Sequence, residues 1–284
     1  MTAWLDLCRL CVADIRDVLA RLPTRVEREP VLRLGHGGDD TTAIDEAAEE
    51  VVVERLAALG GDFVLVSEEL GVREFGSGGP LRVVVDPIDG SVNAKRGIPF
   101  FSFSFAVAEG PSMDDVVFGY VYDFGTGEEW SAVRGRGATL DGRPLDGVLP
   151  KDTIEILCFE GTTTPAIAER IAGVVDLAGR VRVMGSLALS LCHLAAGRVD
   201  AVCSLKEARS VDIAAAQLLV RERGLAIELL DDPPFGAGPL DLVTRSRVAA
   251  AGTPELVAEL AAALRRGGRG VTPVGSDPRE ERGG

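Results

Sequence analysis

The sequence predicts a layered α/β (α+β) fold on three observations. Short apolar strand patterns alternate with amphipathic helical ones, turns rich in Gly and Asp separate them, and a break near Gly147–Pro150 divides the chain. Residues 1–149 read as an N-terminal α+β half and 150–266 as a C-terminal α/β half. The Gly, Arg, Pro and Glu of 267–284 read as a mobile tail.

Met1 to Ala20 mixes charged and apolar residues as an amphipathic helix does, unlike a signal peptide, which predicts a cytoplasmic location. Residues 41–59 follow with Ile44, Ala48, Val52 and Leu56 at helical spacing. Thr41 or Thr42 is placed to cap this helix and Gly60 to end it. Phe63–Val66 reads as a strand running into Ser67-Glu68-Glu69. Leu81–Val85 reads as a second strand, which the stiff Asp86-Pro87 step should stop in a turn. Phe101, Phe103 and Phe105 alternate with Ser102 and Ser104 at period two, and strands continue over 116–121 and 130–133. In the second half, strands are predicted at 154–159 and 181–183. Helices are predicted at about 164–175, at 186–196 and at 212–223.

At 284 residues, 46% hydrophobic and 26% charged, the chain has the composition of a soluble globular protein. It holds no apolar run of about 18 residues, which excludes an ordinary membrane-spanning helix. A net charge of −14 disfavours nucleic-acid binding. The five scattered cysteines predict no disulfide framework, and Cys8 and Cys11 read as small buried side chains on the first helix.

The segment Val85-Asp86-Pro87-Ile88-Asp89-Gly90-Ser91-Val92-Asn93 carries the chemistry. Asp86 and Asp89 flank a proline, so one turn can aim both carboxylates and the Ile88 carbonyl at a single point. Hard divalent cations take such oxygen ligands. Gly90 and Ser91 then offer bare backbone and a hydroxyl where a helix can start, which suits a phosphate. Asp45, Glu68 and Asp212 also stand at ends of predicted elements. Each has a plainer role available: Asp45 fits a capping box with Thr42, Glu68 a solvated strand end, and Asp212 an N-cap, as does Ser186.

These segments resemble the inositol monophosphatase family of Mg²⁺-dependent phosphomonoesterases. The resemblance rests on Asp86–Asn93, Ser67-Glu68-Glu69, Thr42 with Asp45, Gly185-Ser186, Ala196–Asp200 and Asp212-Ile213-Ala214-Ala215, in the family's order over roughly residues 5 to 260. Gly38-Asp39-Asp40-Thr41 and Asn93–Pro99 look most like the archaeal branch, whose members often hydrolyse both fructose 1,6-bisphosphate and inositol phosphates.

The resemblance implies the family's alternating α/β/α/β/α layers, a homodimer, and two to three Mg²⁺ ions. Glu68, Asp86 and the Ile88 carbonyl would hold the first ion, Asp86, Asp89 and Asp212 the second, and a third would rest largely on Glu68. Ser91, linked to Asp45, would activate the attacking water, and the amides of Gly90 and Ser91 would bind the phosphate. Gly185, Ser186 and Leu187 would border the sugar or cyclitol, and Arg182 would orient it. The chain departs from the family at Val211, where an aromatic is usual, and at Leu205, where cyclitol enzymes carry Glu and archaeal ones Arg; Glu207 and Arg209 are near but out of register.

The expected activity is hydrolysis of sugar or cyclitol phosphates by metal-activated water, without a covalent phosphoenzyme. Two alternatives stay open: a phosphatase for 3′-phosphoadenosine 5′-phosphate or histidinol phosphate, and a non-catalytic member that binds other proteins. No membrane partner is expected.

Overall fold

The protein is described here by a computed structural model over residues 2–36, 40–146, 151–231 and 234–267. Gly38 and Asp39, the expected break at 147–150, and the expected tail beyond 267 lie outside the described residues.

Helix α1 (Thr2–Arg21) and the single-turn α2 (Arg25–Arg28) lead into a ribbon of β1 (Val31–Leu34) and β2 (Asp40–Thr42), then α3 (Ala43–Leu59). The first large sheet contains β3 (Phe63–Ser67), β4 (Gly71–Phe75) and β5 (Arg82–Asp89). After α4 (Ser91–Arg96) it gains β6 (Ser102–Ala108), β7 (Val116–Asp123), β8 (Glu129–Val133), β9 (Ala138–Leu140) and β10 (Arg143–Pro144). Its order is β10-β9-β8-β7-β6-β5-β3-β4. The second half holds β11 (Ile154–Glu160), α5 (Thr164–Ile171), β12 (Ala178–Arg182), α6 (Leu187–Ala195), β13 (Ala201–Ser204), α7 (Ser210–Glu222), β14 (Ala226–Leu229), β15 (Val248–Ala251) and α8 (Pro254–Gly267). Its sheet runs β12-β11-β13-β15-β14.

Three apolar clusters show how the layers stack. Leu7, Ile15, Ile44 and Leu56 of α1 and α3 pack on Phe103 and Phe105 of the first sheet and on Phe101 just before it. The other face of that sheet meets Leu189, Leu191, Ala215 and Leu219 of α6 and α7, which also cover Val202 and Ala250 of the second sheet. Leu260 and Leu264 of α8 close the far side against Leu157 and Ala249. The order is therefore helices, sheet, helices, sheet, helices, and α6 and α7 are buried because they have a sheet on each side.

α7 lies unusually close to the first sheet: a Cβ on Gly119 of β7 would fall 2.4 Å from the Ala215 carbonyl oxygen. Buried Ala214, Ala215 and Ala216 allow that approach.

The alternation over 101–105 marks two buried faces, with the phenylalanines facing α1 and α3 and the serines facing α6 and α7. β5 does not stop at Asp86 as expected but runs on to Asp89. Asp86 pairs with Ser104 and Asp89 with Ser102, so one extra residue sits on β5. Pro87, which has no N–H to donate, falls inside this bulge, where no ladder bond is required of it. Cys8 and Cys11 are fully buried, and all five cysteines are free.

Candidate active site

Strand register brings the acidic groups together. β3 and β5 are parallel neighbours with Ser67 opposite Val85, so Glu68 and Asp86, each one residue further on, emerge side by side. On the other flank of β5, the Ser104 hydroxyl donates to the Val211 carbonyl at 3.5 Å, which brings the start of α7 and Asp212 alongside. Among the described residues, Glu68, Asp86 and Asp212 each offer a carboxylate oxygen lying within 4.8 Å of the other two.

Asp212 is not the N-cap that its position suggested. It is the third residue of α7, and Arg209 occupies the cap. Asp212 accepts from the Arg209 amide at 2.7 Å and from its guanidinium at 3.1 Å. Arg209 also reaches Glu68 at 2.7 Å. Burial alone would weaken the guanidinium charge, but Asp212, Glu68 and Asp86 together raise its pKa above the ordinary arginine value.

The carboxylates show the effect of crowding like charges away from water. Burial, opposed by Arg209 and reinforced by Asp212, pushes Glu68 up to about 8. Burial and the neighbouring Glu68, Asp89 and Asp212 hold Asp86 well above the carboxylate range. Asp89 is pushed up to about 6 by burial, although the Ser186 hydroxyl pulls it down.

Asp89 closes the far side of the cluster. It accepts from Ser186 Oγ at 2.5 Å and from the Ala188 amide at 2.9 Å, both at the start of α6. Ser186, expected at the edge of the substrate, is instead buried as the α6 N-cap; its hydroxyl accepts from the Leu189 amide and supports Asp89. Gly185 and Leu187 do line the open cavity, together with Asp89, Glu160, Arg209 and Asp212.

Gly90 and Gly185 face each other at left-handed φ of 96° and 100°. A Cβ on Gly90 would meet the Gly185 carbonyl oxygen at 2.9 Å, and one on Gly185 would meet Asn93 Nδ2 at 2.6 Å. That Asn93 amide donates to the Phe100 and Met184 carbonyls, both at 2.8 Å, and so ties the Asp-Gly turn to the loop before α6.

Two expected contacts are absent. Ser91 does not join Asp45: its hydroxyl donates to the Ile88 carbonyl at 3.0 Å, the oxygen that the family resemblance assigns to the first ion. Asp45 serves the capping box, accepting from the Thr42 hydroxyl at 2.5 Å and its amide at 3.1 Å, while its Oδ1 is buried without a partner. Arg182 is exposed, turns to its own strand's Val181 carbonyl, and is not among the residues lining the cavity, because β12 lies at the outer edge of its sheet.

Sequence reasoning missed two groups. Glu160, buried at the end of β11, accepts from Ser190 and from the Gly185 amide at 2.7 and 2.8 Å, and burial pushes it up to about 7. An acid closing an apolar strand run was its signal, the same as for Glu68. Arg209 had a signal too: it stands three residues before Asp212, the spacing of a capping pair.

Comparison with known proteins agrees with this geometry. The pattern of the inositol monophosphatase family matches residues 7–269. The fructose-1,6-bisphosphatase/inositol-1-monophosphatase of Methanothermobacter thermautotrophicus is 32% identical over 262 residues, covering 85% of this chain and 93% of the relative. Nus factor SuhB of Pasteurella multocida is 35% identical over 228 residues, covering 78% and 81%. A solved inositol monophosphatase–fructose 1,6-bisphosphatase structure superposes with a TM-score of 0.77 at 26% identity, covering 92% of this chain and 99% of that one. The chain belongs to the inositol monophosphatase family.

Proposed function

We propose that this protein is a Mg²⁺-dependent phosphomonoesterase acting on sugar or cyclitol phosphates, with fructose 1,6-bisphosphate and myo-inositol monophosphate as the leading substrates. The observation that carries the reading is the convergence of buried Glu68 and Asp86 with partly buried Asp212. Three carboxylates in so small a space suit a hard divalent cation, and nothing but oxygen is offered. Glu68, Asp86, Asp89, Asp212 and the Ile88 carbonyl would hold two to three Mg²⁺ ions. Bound Mg²⁺ supplies a water of lowered pKa and neutralises charge on the leaving oxygen.

The chain's own groups do the rest. Asp45, whose Oδ1 is buried without a partner, would support the attacking water, as the family resemblance implies. Ser91 fixes the turn through Ile88, and the Gly90 and Ser91 amides meet the phosphate. Gly185 and Leu187 border the sugar or cyclitol on the cavity wall. The cavity shares Lys206, Glu207 and Arg245 with a neighbouring groove also lined by Arg170, Asp231 and Arg247, where Lys206 and Arg245 would meet a second phosphate.

A homodimer in the cytoplasm is part of the same reading. Exposed Val92, Ile98, Val183 and Met184 lie on segments joined by the Asn93–Met184 hydrogen bond, and they are the apolar groups a second copy would cover. Sedimentation of the purified chain at twice its monomer mass is expected. Among the described residues no helix is long and apolar enough to cross a membrane. The division at 149/150 separates the half that supplies most acidic groups from the half that supplies Asp212 and the sugar-facing loop.

The test is phosphate release from fructose 1,6-bisphosphate, myo-inositol 1-phosphate, 3′-phosphoadenosine 5′-phosphate and histidinol phosphate, with Mg²⁺ and with EDTA. Turnover of the first two, lost in EDTA and in Asp86→Asn, is expected. Preference for either of the last two replaces the substrate, and no release from any ester favours a protein-binding role.

A further inference from the structure

Arg209 stands inside the acidic cluster, not beside it. Its guanidinium donates to Glu68 at 2.7 Å and to Asp212 at 3.1 Å, and its backbone amide holds the second Asp212 oxygen at 2.7 Å. The pair side chains are almost closed to solvent, 11% exposed for Arg209 and Glu68 and 14% for Asp212. In so dry a setting the attraction between these charges is poorly screened, and so is any repulsion between the guanidinium and a second cation. Two of the three clustered carboxylates are thus held by a positive group that the fold itself provides.

We propose that Arg209 is a resident counter-ion that competes with the divalent metal: it steadies Glu68 and Asp212 when they hold no ion, and it must give way for one to load. This inference rests on reading the cluster as a metal site. Arg209 suits the role because its cap position anchors its backbone to α7 while the long side chain lines the open cavity. Release of the two carboxylates by the guanidinium would then leave the start of the helix in place. Its consequence for function is a metal affinity set below what the carboxylates alone would give, so that occupancy follows the supply of free Mg²⁺.

The test is calorimetric titration of Mg²⁺ into the full chain, paired with melting in EDTA, for the wild type, Arg209→Gln and Arg209→Lys. The proposal expects Arg209→Gln to bind Mg²⁺ at least ~10-fold more tightly while melting lower in EDTA. Arg209→Lys, a point charge unable to bridge both carboxylates, should fall between the two. A purely structural role for Arg209 would weaken metal binding, never tighten it. Equal or weaker Mg²⁺ binding by folded Arg209→Gln overturns the proposal, as does wild-type affinity in Arg209→Lys if the Gln variant does not fold. A wild type that binds no Mg²⁺ overturns the metal-site reading beneath it.

Discussion

The Ser186 hydroxyl donates at 2.5 Å to Asp89, so the N-cap of α6 and the last residue of β5, 97 positions apart, form one joint between the first sheet and the middle helix layer. The same oxygen of Ser186 caps Leu189, and the same oxygen of Asp89 accepts from Ala188. Ser186→Ala removes a helix cap and a charge-assisted bond together. A loss of about 2 kcal/mol is expected in urea unfolding, with Ser186→Thr recovering most of it.

Gly185→Ala should be worse, because two costs add. The residue sits at φ 100°, and the new methyl would press Asn93 Nδ2 at 2.6 Å. Asn93 would release the Met184 or Phe100 carbonyl, freeing the loop from the Asp-Gly turn. The expected result is destabilisation of at least ~2 kcal/mol together with lost turnover, checked by thermal melting and by assay of whatever remains folded.

Glu49 gives a pH test away from the cluster. Its Oε1 accepts from the Ser67 hydroxyl, and burial raises its pKa from 4.5 to about 7. The folded state holds the proton over that window more tightly than the unfolded chain. Stability from this group is therefore complete below about 4.5 and is lost as pH rises through about 7. Glu49→Gln keeps the shape without the charge. It should melt above the wild type at pH 8, by an amount on the order of 2–3 kcal/mol, and approach it near pH 5.

Lys206 and Arg245 line both the cavity and the neighbouring groove. If a second phosphate docks there, Lys206→Met should raise KM for fructose 1,6-bisphosphate by roughly 10-fold or more and affect myo-inositol 1-phosphate far less. Initial rates over a range of each substrate decide it.

The parts legible from sequence were those set by local rules. Thr42 and Asp45 marked the start of α3 because capping is a three-residue matter, and Cys8 and Cys11 fell on a buried helical stripe for the same kind of reason. The Asp86–Asn93 turn was readable because proline and glycine constrain backbone directly. Pro87 misled about β5, since whether a strand continues past a proline depends on a bulge against β6, which pairing decides and spacing does not. Ser186 and Arg182 were misplaced for a related reason: distance to the cavity depends on which sheet edge and which helix end face it. Arg209 was visible as a residue but not as an ion-pair partner, because Glu68 lies 141 positions away and reaches it only through the parallel pairing of β3 and β5.

The missing side chain at Gly119 makes the sheet a gauge for the chemistry. With no methyl between them, β7 and the Ala215 backbone touch, and that clearance fixes how far Asp212, one turn earlier on the same helix, stands from Asp86. A single carbon added at Gly119 would lift the helix and widen the carboxylate triangle without altering any charged group. The spacing of these carboxylates therefore resides partly in an apolar contact on a different strand, and replacing that glycine should disturb the cluster while leaving every acidic residue in the chain.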